Sequence, residues 1–179
     1  MQKKSYVDYM IEETKKLLAI DSPSGFTKAA ADYVIKEYRA LGYEPKQTVK
    51  GGVLTAIGGA DQENAVLLEA HMDTLGAMVC EIGANGRLKV TPIGGLNANN
   101  AEAENCRIYA RFGEVFDGTM QLIDASVHVN GDYNEKKRTF DHMEVVLDEK
   151  VHTAEDVKKL GIMVGDFVCF EPRTTVTRS

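Results

Sequence analysis

The chain has 179 residues, of which 44% are hydrophobic and 27% charged, and it carries a formal net charge of −6. That length suits one domain or two small ones with a real core. The acidic balance and the lack of a basic tract argue against nucleic acid, or a membrane surface met by a basic helix, as partners. Apolar runs such as "AVLL" and "AMV" are too short to span a bilayer, and "MQKKSYVDYM" has no apolar stretch behind its basic residues, unlike a signal peptide. Cys80, Cys106 and Cys169 are odd in number, far apart and without a C-x-x-C, which points to free thiols in a reducing compartment, the cytoplasm.

In chain order, Ser5 to about Ile20 places Val7, Met10, Ile11, Leu17 and Leu18 at helical spacing, with Ser5 and Asp8 as a capping box. "DSPSGF" reads as a helix stop and loop. A second helix follows over about Thr27 to Leu41, with Ala30, Ala31, Val34, Ile35, Tyr38 and Leu41 on one face and Gly42 as its stop. The period then becomes that of strands: "YEPKQTV", "GVLTAIG" and "NAVLLEAHMD". "NAVLL" is continuously apolar and predicts a central strand covered on both faces. From Ala77 the texture changes to short strand candidates, "AMVCEI", "RLKVTP", "CRIYARF", "GTMQLI", "SVHVN", "MEVVLD" and "DFVCFEP". One short helix interrupts near Thr153 to Leu160, where "TAED" offers a second capping box, and "GLNANNAEAEN" reads as a loop. Such strands predict a small barrel or sandwich. The acidic "DHMEVVLDE" alternates like a half-solvated strand.

The stretch "LLEAHMDTLG" carries Glu69, His71 and Asp73 at alternate positions, hence on one face of the predicted strand, at the carboxyl edge where open α/β sheets bind ligands. A neutral imidazole there offers one nitrogen to zinc, while a nearby carboxylate accepts from the other nitrogen and fixes the tautomer. H-x-D is therefore one half of a metal site, or simply a polar strand end reaching water; the pattern alone leaves both open. His128, His142 and His152 are isolated and read as ordinary side chains. "SPSG" lacks the G-x-S-x-G of a nucleophile turn, and the paired glycines match neither dinucleotide nor Walker patterns.

Taken together, "SPSG" after the first helix, "AHMDTLGAMV", "VTPIGG" and "KKLGIMVGDFVCFEP" resemble, in order, landmarks of the M42 family of metallo-aminopeptidases, the glutamyl or tetrahedral aminopeptidase family. The resemblance implies an α/β fold: the N-terminal part of an α/β peptidase catalytic domain over 1–76, an inserted small β-barrel (PDZ-like) over 77–170, and a return to the catalytic domain over 171–179. It implies two divalent metal ions, zinc or cobalt, that activate water to release N-terminal residues from peptide substrates. His71 would be a metal ligand and Asp73 the catalytic-site carboxylate that orients it; Glu69 has no assigned role. It implies a homo-oligomer through the β domain, a dimer or a dodecamer of such dimers. In the family pattern the remaining ligands follow "EPRTTVTRS", so the 179 residues alone are expected to lack peptidase activity. Residues 1–75 alone are expected to expose apolar surface and an open sheet edge. The competing reading is a non-catalytic self-association module. A glycoside-active reading ranks last, because Glu69 and Asp73 on one strand face do not flank a sugar.

Overall fold

A computed structural model describes residues 5–61 and 63–177. It divides into two compact units: residues up to Thr74 together with those from Pro172 on, and Leu75–Glu171.

The first unit begins with α1, Tyr6–Leu18. The Ser5 hydroxyl accepts from the Asp8 backbone N–H at 3.1 Å and donates to the Asp8 carboxylate at 2.7 Å, a cap that occupies one donor the first turn would leave free. Helix α2, Lys28–Ala40, buries Ala30 and Ala31, and Gly42, at φ +89°, takes the left-handed turn that ends it. The Tyr33 hydroxyl donates to Glu13 and ties the helices together. Strands β1, Lys46–Gln47, and β2, Val53–Leu54, form a two-stranded antiparallel ribbon, shorter than the runs that predict them.

Over 65–73 the predicted central strand is not seen. Among the described residues no ladder pairs with this run, and Val66, Leu67 and Leu68 are 94%, 71% and 92% exposed. A strand that is apolar on both faces needs a hydrogen-bonding neighbour and two covering layers. None of the described residues of this unit supplies them, so the segment stays unpaired and solvated. Helix α1 likewise buries no residue, and Val7, Met10 and Leu18 remain exposed.

The second unit is a closed barrel of antiparallel strands in the order β3-β4-β7-β6-β5-β8. These are β3 Gly76–Ile82, β4 Leu88–Ile93, β5 Asn105–Tyr109, β6 Val115–Leu122, β7 Met143–Leu147 and β8 Phe167–Phe170. Alternation fills the interior: Val79, Leu88, Val90, Ile108, Met120, Leu122, Met143, Val145 and Val168 are all essentially inaccessible. Helix α3, Ala154–Lys159, is capped by Thr153 and anchored by the buried Val157.

Two expectations for this unit change. "SVHVN" is not a strand; residues 127–129 form a turn whose neighbours are held locally, Asn130 donating to the Asp124 carbonyl and Arg138 to Glu102. Its alternation covers too few residues to distinguish a strand from a turn. Nor is β7 half-solvated: Glu144 is 5% exposed and accepts from the Arg87 guanidinium, a paired charge that lets an acid enter the wall. Among the described residues no helix is long and apolar enough to cross a membrane.

Candidate functional site

His71 and Asp73 lie in the first unit, on the segment that follows the exposed apolar run. The His71 side chain is 86% exposed and that of Asp73 39%. Nδ1 of His71 sits 2.9 Å from the Asp73 carbonyl oxygen and 3.1 Å from its Oδ1. Both partners are acceptors when the carboxylate is ionised, so the proton of the neutral ring belongs on Nδ1, which leaves the Nε2 lone pair available. The short polar spacing H-x-D suffices to build this contact without a regular strand.

A second segment holds these residues in place. Ser22, fully buried, accepts the Thr74 N–H on its carbonyl at 2.9 Å and donates its hydroxyl to the Met72 carbonyl at 3.1 Å. Pro23 forms an isolated parallel bridge with Thr74. Ser24 then donates its hydroxyl to Oδ2 of Asp73. The Ser24 hydroxyl beside it holds the Asp73 carboxyl below the usual carboxylate range; burial pushes the other way, and the bonds from the backbone and His71 lower it further. Thus "SPSG" is a clasp on the H-x-D segment as well as a helix stop. Its serines carry a signal that the sequence reading places in the loop but not in the site.

The remaining candidates are not gathered here. Glu69 is exposed. His142 receives its contacts from the Lys137 carbonyl and Thr139 hydroxyl, both at 3.1 Å, within the barrel unit. His152 donates its backbone N–H to Asp156 at the start of α3, and His128 lies in the exposed 127–129 turn. Among the described residues no group of three or more His, Cys, Asp or Glu side chains is placed to hold a metal ion. An imidazole with Nδ1 satisfied and Nε2 open fits one position of a divalent ion, with its orienting carboxylate in place. A catalytic zinc needs about three protein ligands, so the described residues fit one corner of such a centre and not the whole.

Comparison with known proteins agrees with this partial picture. The model of the M42 glutamyl aminopeptidase family matches residues 51–179. The Bacillus subtilis protein YhfE is 41% identical over 169 residues, covering 94% of this chain and 49% of its own. The structure of aminopeptidase APDkam598 from the archaeon Desulfurococcus kamchatkensis superposes with a TM-score of 0.79 at 26% identity, over 93% of this chain and 44% of that one. The TET1 peptidase of Pyrococcus horikoshii, which can assemble into a tetrahedron or a large octahedral shell, gives a TM-score of 0.72 at 22% identity, over 90% and 46%. The chain spans about half the length of the relatives it matches. With a family match over most of its length and a shared fold, the chain belongs to the M42 glutamyl aminopeptidase family.

Proposed function

We propose that the protein acts as a metal-dependent aminopeptidase that releases N-terminal residues from peptides, with His71 as one metal ligand and Asp73 as the carboxylate that orients it. The observation that carries this reading is the His71–Asp73 pair, in which Nδ1 is held by acceptors and Nε2 is left open at the surface. Membership of an aminopeptidase family supports it. The proposed cofactors are two divalent ions, zinc or cobalt, which when bound lower the pKa of water and stabilise an oxyanion. In this reading the chain's own part is to offer Nε2, keep Nδ1 protonated, and keep that proton directed at Asp73. We propose also that the barrel is a PDZ-like insert in the catalytic domain, through which copies self-associate. Its exposed Phe112, at 79%, and Val129, at 86%, and the shells formed by the Pyrococcus protein support that view.

The test is hydrolysis of a panel of aminoacyl p-nitroanilides by the whole protein, with and without zinc or cobalt, beside the His71→Ala variant. Metal-dependent release that His71→Ala abolishes is the expected result. Release that survives in His71→Ala overturns the ligand role, and release that persists in chelator overturns the metal dependence.

A further inference from the structure

We propose that Ser24 is a positioning residue for His71, acting through Asp73: its hydroxyl pins the carboxylate in the rotamer that receives the imidazole Nδ1 proton. This rests on the reading of His71 as a metal ligand for its functional meaning, though not for its geometry.

Three observations combine. The Asp73 carboxylate is divided between two partners, Oδ2 taking the Ser24 hydroxyl and Oδ1 facing Nδ1 of His71. An aspartate carboxyl has a broad terminal torsion, so one oxygen held from the far side fixes where the other points. Both His71 and Asp73 are solvent-accessible, at 86% and 39%, so packing does not hold the ring or the carboxylate; hydrogen bonds must.

The third observation is that the backbone next to Ser24 is hydrogen-bonded to the segment that carries Asp73. The clasp binds the two segments immediately beside it, through the Thr74 N–H to the Ser22 carbonyl, the Ser22 hydroxyl to the Met72 carbonyl, and the Pro23–Thr74 bridge. Pro23 fixes the backbone entering Ser24, and Gly25, at φ +92°, turns the chain immediately after it. The hydroxyl is thus delivered from a backbone fastened on its N-terminal side and turned away immediately after it. Loss of that hydroxyl leaves the Asp73 carboxylate free to swing and takes Oδ1 from Nδ1–H, so that the Asp73 carbonyl oxygen remains as its acceptor and the Nε2–H tautomer, which cannot bind a metal through Nε2, is more populated. Ser22 and Ser24 divide the work: the buried Ser22 joins the two backbones, and the exposed Ser24 sets a side chain.

The experiment is 15N NMR of the histidine ring of the metal-free 179-residue chain, which reports the tautomer at His71 directly. Wild type is expected to show Nδ1–H as the dominant neutral form. Ser24→Ala is expected to shift the ring towards a mixture with Nε2–H, and Ser24→Thr, which keeps a hydroxyl, to restore the wild-type pattern. The Thr74 amide, bonded to Ser22, serves as the control for an intact clasp and is expected to be unchanged in both variants. A Ser24→Ala ring that keeps the wild-type tautomer while the Thr74 amide is unchanged overturns the proposal. So does a Ser24→Thr ring that behaves like alanine. Should Ser24→Ala lose the Thr74 signal, Ser24→Thr and Asp73→Asn are read instead: the tautomer must hold in the first and shift in the second, and any other pair of results overturns the proposal. Zinc is then added to the same wild-type sample. A His71 Nε2 signal that does not respond to zinc overturns the ligand reading, while the tautomer result stands on its own.

Discussion

Substituting Gly118 by alanine tests whether the barrel closes with the register described. Gly118 lies in β6 with Cys106 of β5 on one side and Leu147 of β7 on the other. A Cβ built there falls 2.7 Å from the Val146 carbonyl oxygen, 3.0 Å from Val145 Cγ1 and 3.4 Å from Ile108 Cδ1. The first of these is backbone in the adjacent strand, so relief requires β6 and β7 to part rather than a side chain to turn. Overpacking of this kind costs about 1–3 kcal/mol. For a unit of roughly 100 residues each 1 kcal/mol lowers Tm by about 4–8 °C, which predicts a drop between about 4 and 24 °C. The control is Gly95→Ala, where a Cβ meets nothing within 4 Å and the backbone is not left-handed. There the smaller entropy of the unfolded chain predicts no loss, or a gain of about 0.4–1 kcal/mol. Thermal unfolding followed by circular dichroism on the wild type and both variants decides it. If Gly118→Ala melts within a degree of wild type, the β6–β7 approach is wider than described and the argument from this register fails.

Further outcomes follow from the site and the core. Asp73→Asn is expected to weaken zinc binding at His71 by about 10- to 100-fold, the usual effect of losing an orienting carboxylate, measured by competition with a chromogenic chelator. The Asp73 carboxyl is held low in the folded chain, chiefly by the Ser24 hydroxyl. Its folded form therefore binds fewer protons than the unfolded form. Its stabilising contribution is present above the unfolded carboxylate range near pH 4 and is lost as pH falls through the lowered folded value. A titration of the Asp73 side-chain carbonyl by NMR should place its midpoint below that of Ser24→Ala; equal midpoints would count against the hydroxyl as the cause. Burial pushes the Cys106 thiol up to about 12, and the Asp148 and Asp117 charges add to this. Iodoacetamide at pH 8 should therefore label the exposed Cys80 and leave the buried Cys106 unmodified under native conditions, as read by peptide mass spectrometry.

The parts of the fold that sequence reveals are those where the local pattern and the tertiary environment demand the same thing. Ser5 with Asp8, and Thr153 with Asp156, are legible as caps because the groups involved lie within one helical turn. The barrel strands are legible because a closed wall of one layer puts every second residue inside, as with Leu88 and Val90 or Met120 and Leu122. Their order is not legible. The pairings of β3 with β8 and of β5 with β8 join residues some sixty to ninety positions apart along the chain, and no short-range pattern encodes them. Glu144 hides for a related reason: an acid reads as solvated until the Arg87 side chain brought to it by the β4–β7 pairing is known. "SVHVN" fails in the opposite direction, since three alternating residues satisfy a strand template while a pinned turn uses them otherwise.

The candidate site shows the same division at a smaller scale. His71 and Asp73 are two apart, so their contact is local, and it forms even though the expected strand around them does not pair. Ser24 reaches the same carboxylate from 49 residues away, and nothing in "SPSG" by itself says that it will. What joins them is the main-chain seam from Ser22 to Thr74, which uses backbone groups that every sequence possesses. A short motif can therefore be recognised as a turn and still have its purpose hidden, because the residue it serves is set by where the seam is sewn. That seam also explains how a solvent-exposed imidazole keeps one nitrogen committed and the other free. The exposed run Val66–Leu68, lacking any such fastening among the described residues, joins no ladder, while Met72, Asp73 and Thr74 are held by hydrogen bonds to a loop. Order at this site comes from the clasp and not from a sheet, so it should outlast changes in the apolar run and fail when the clasp is cut.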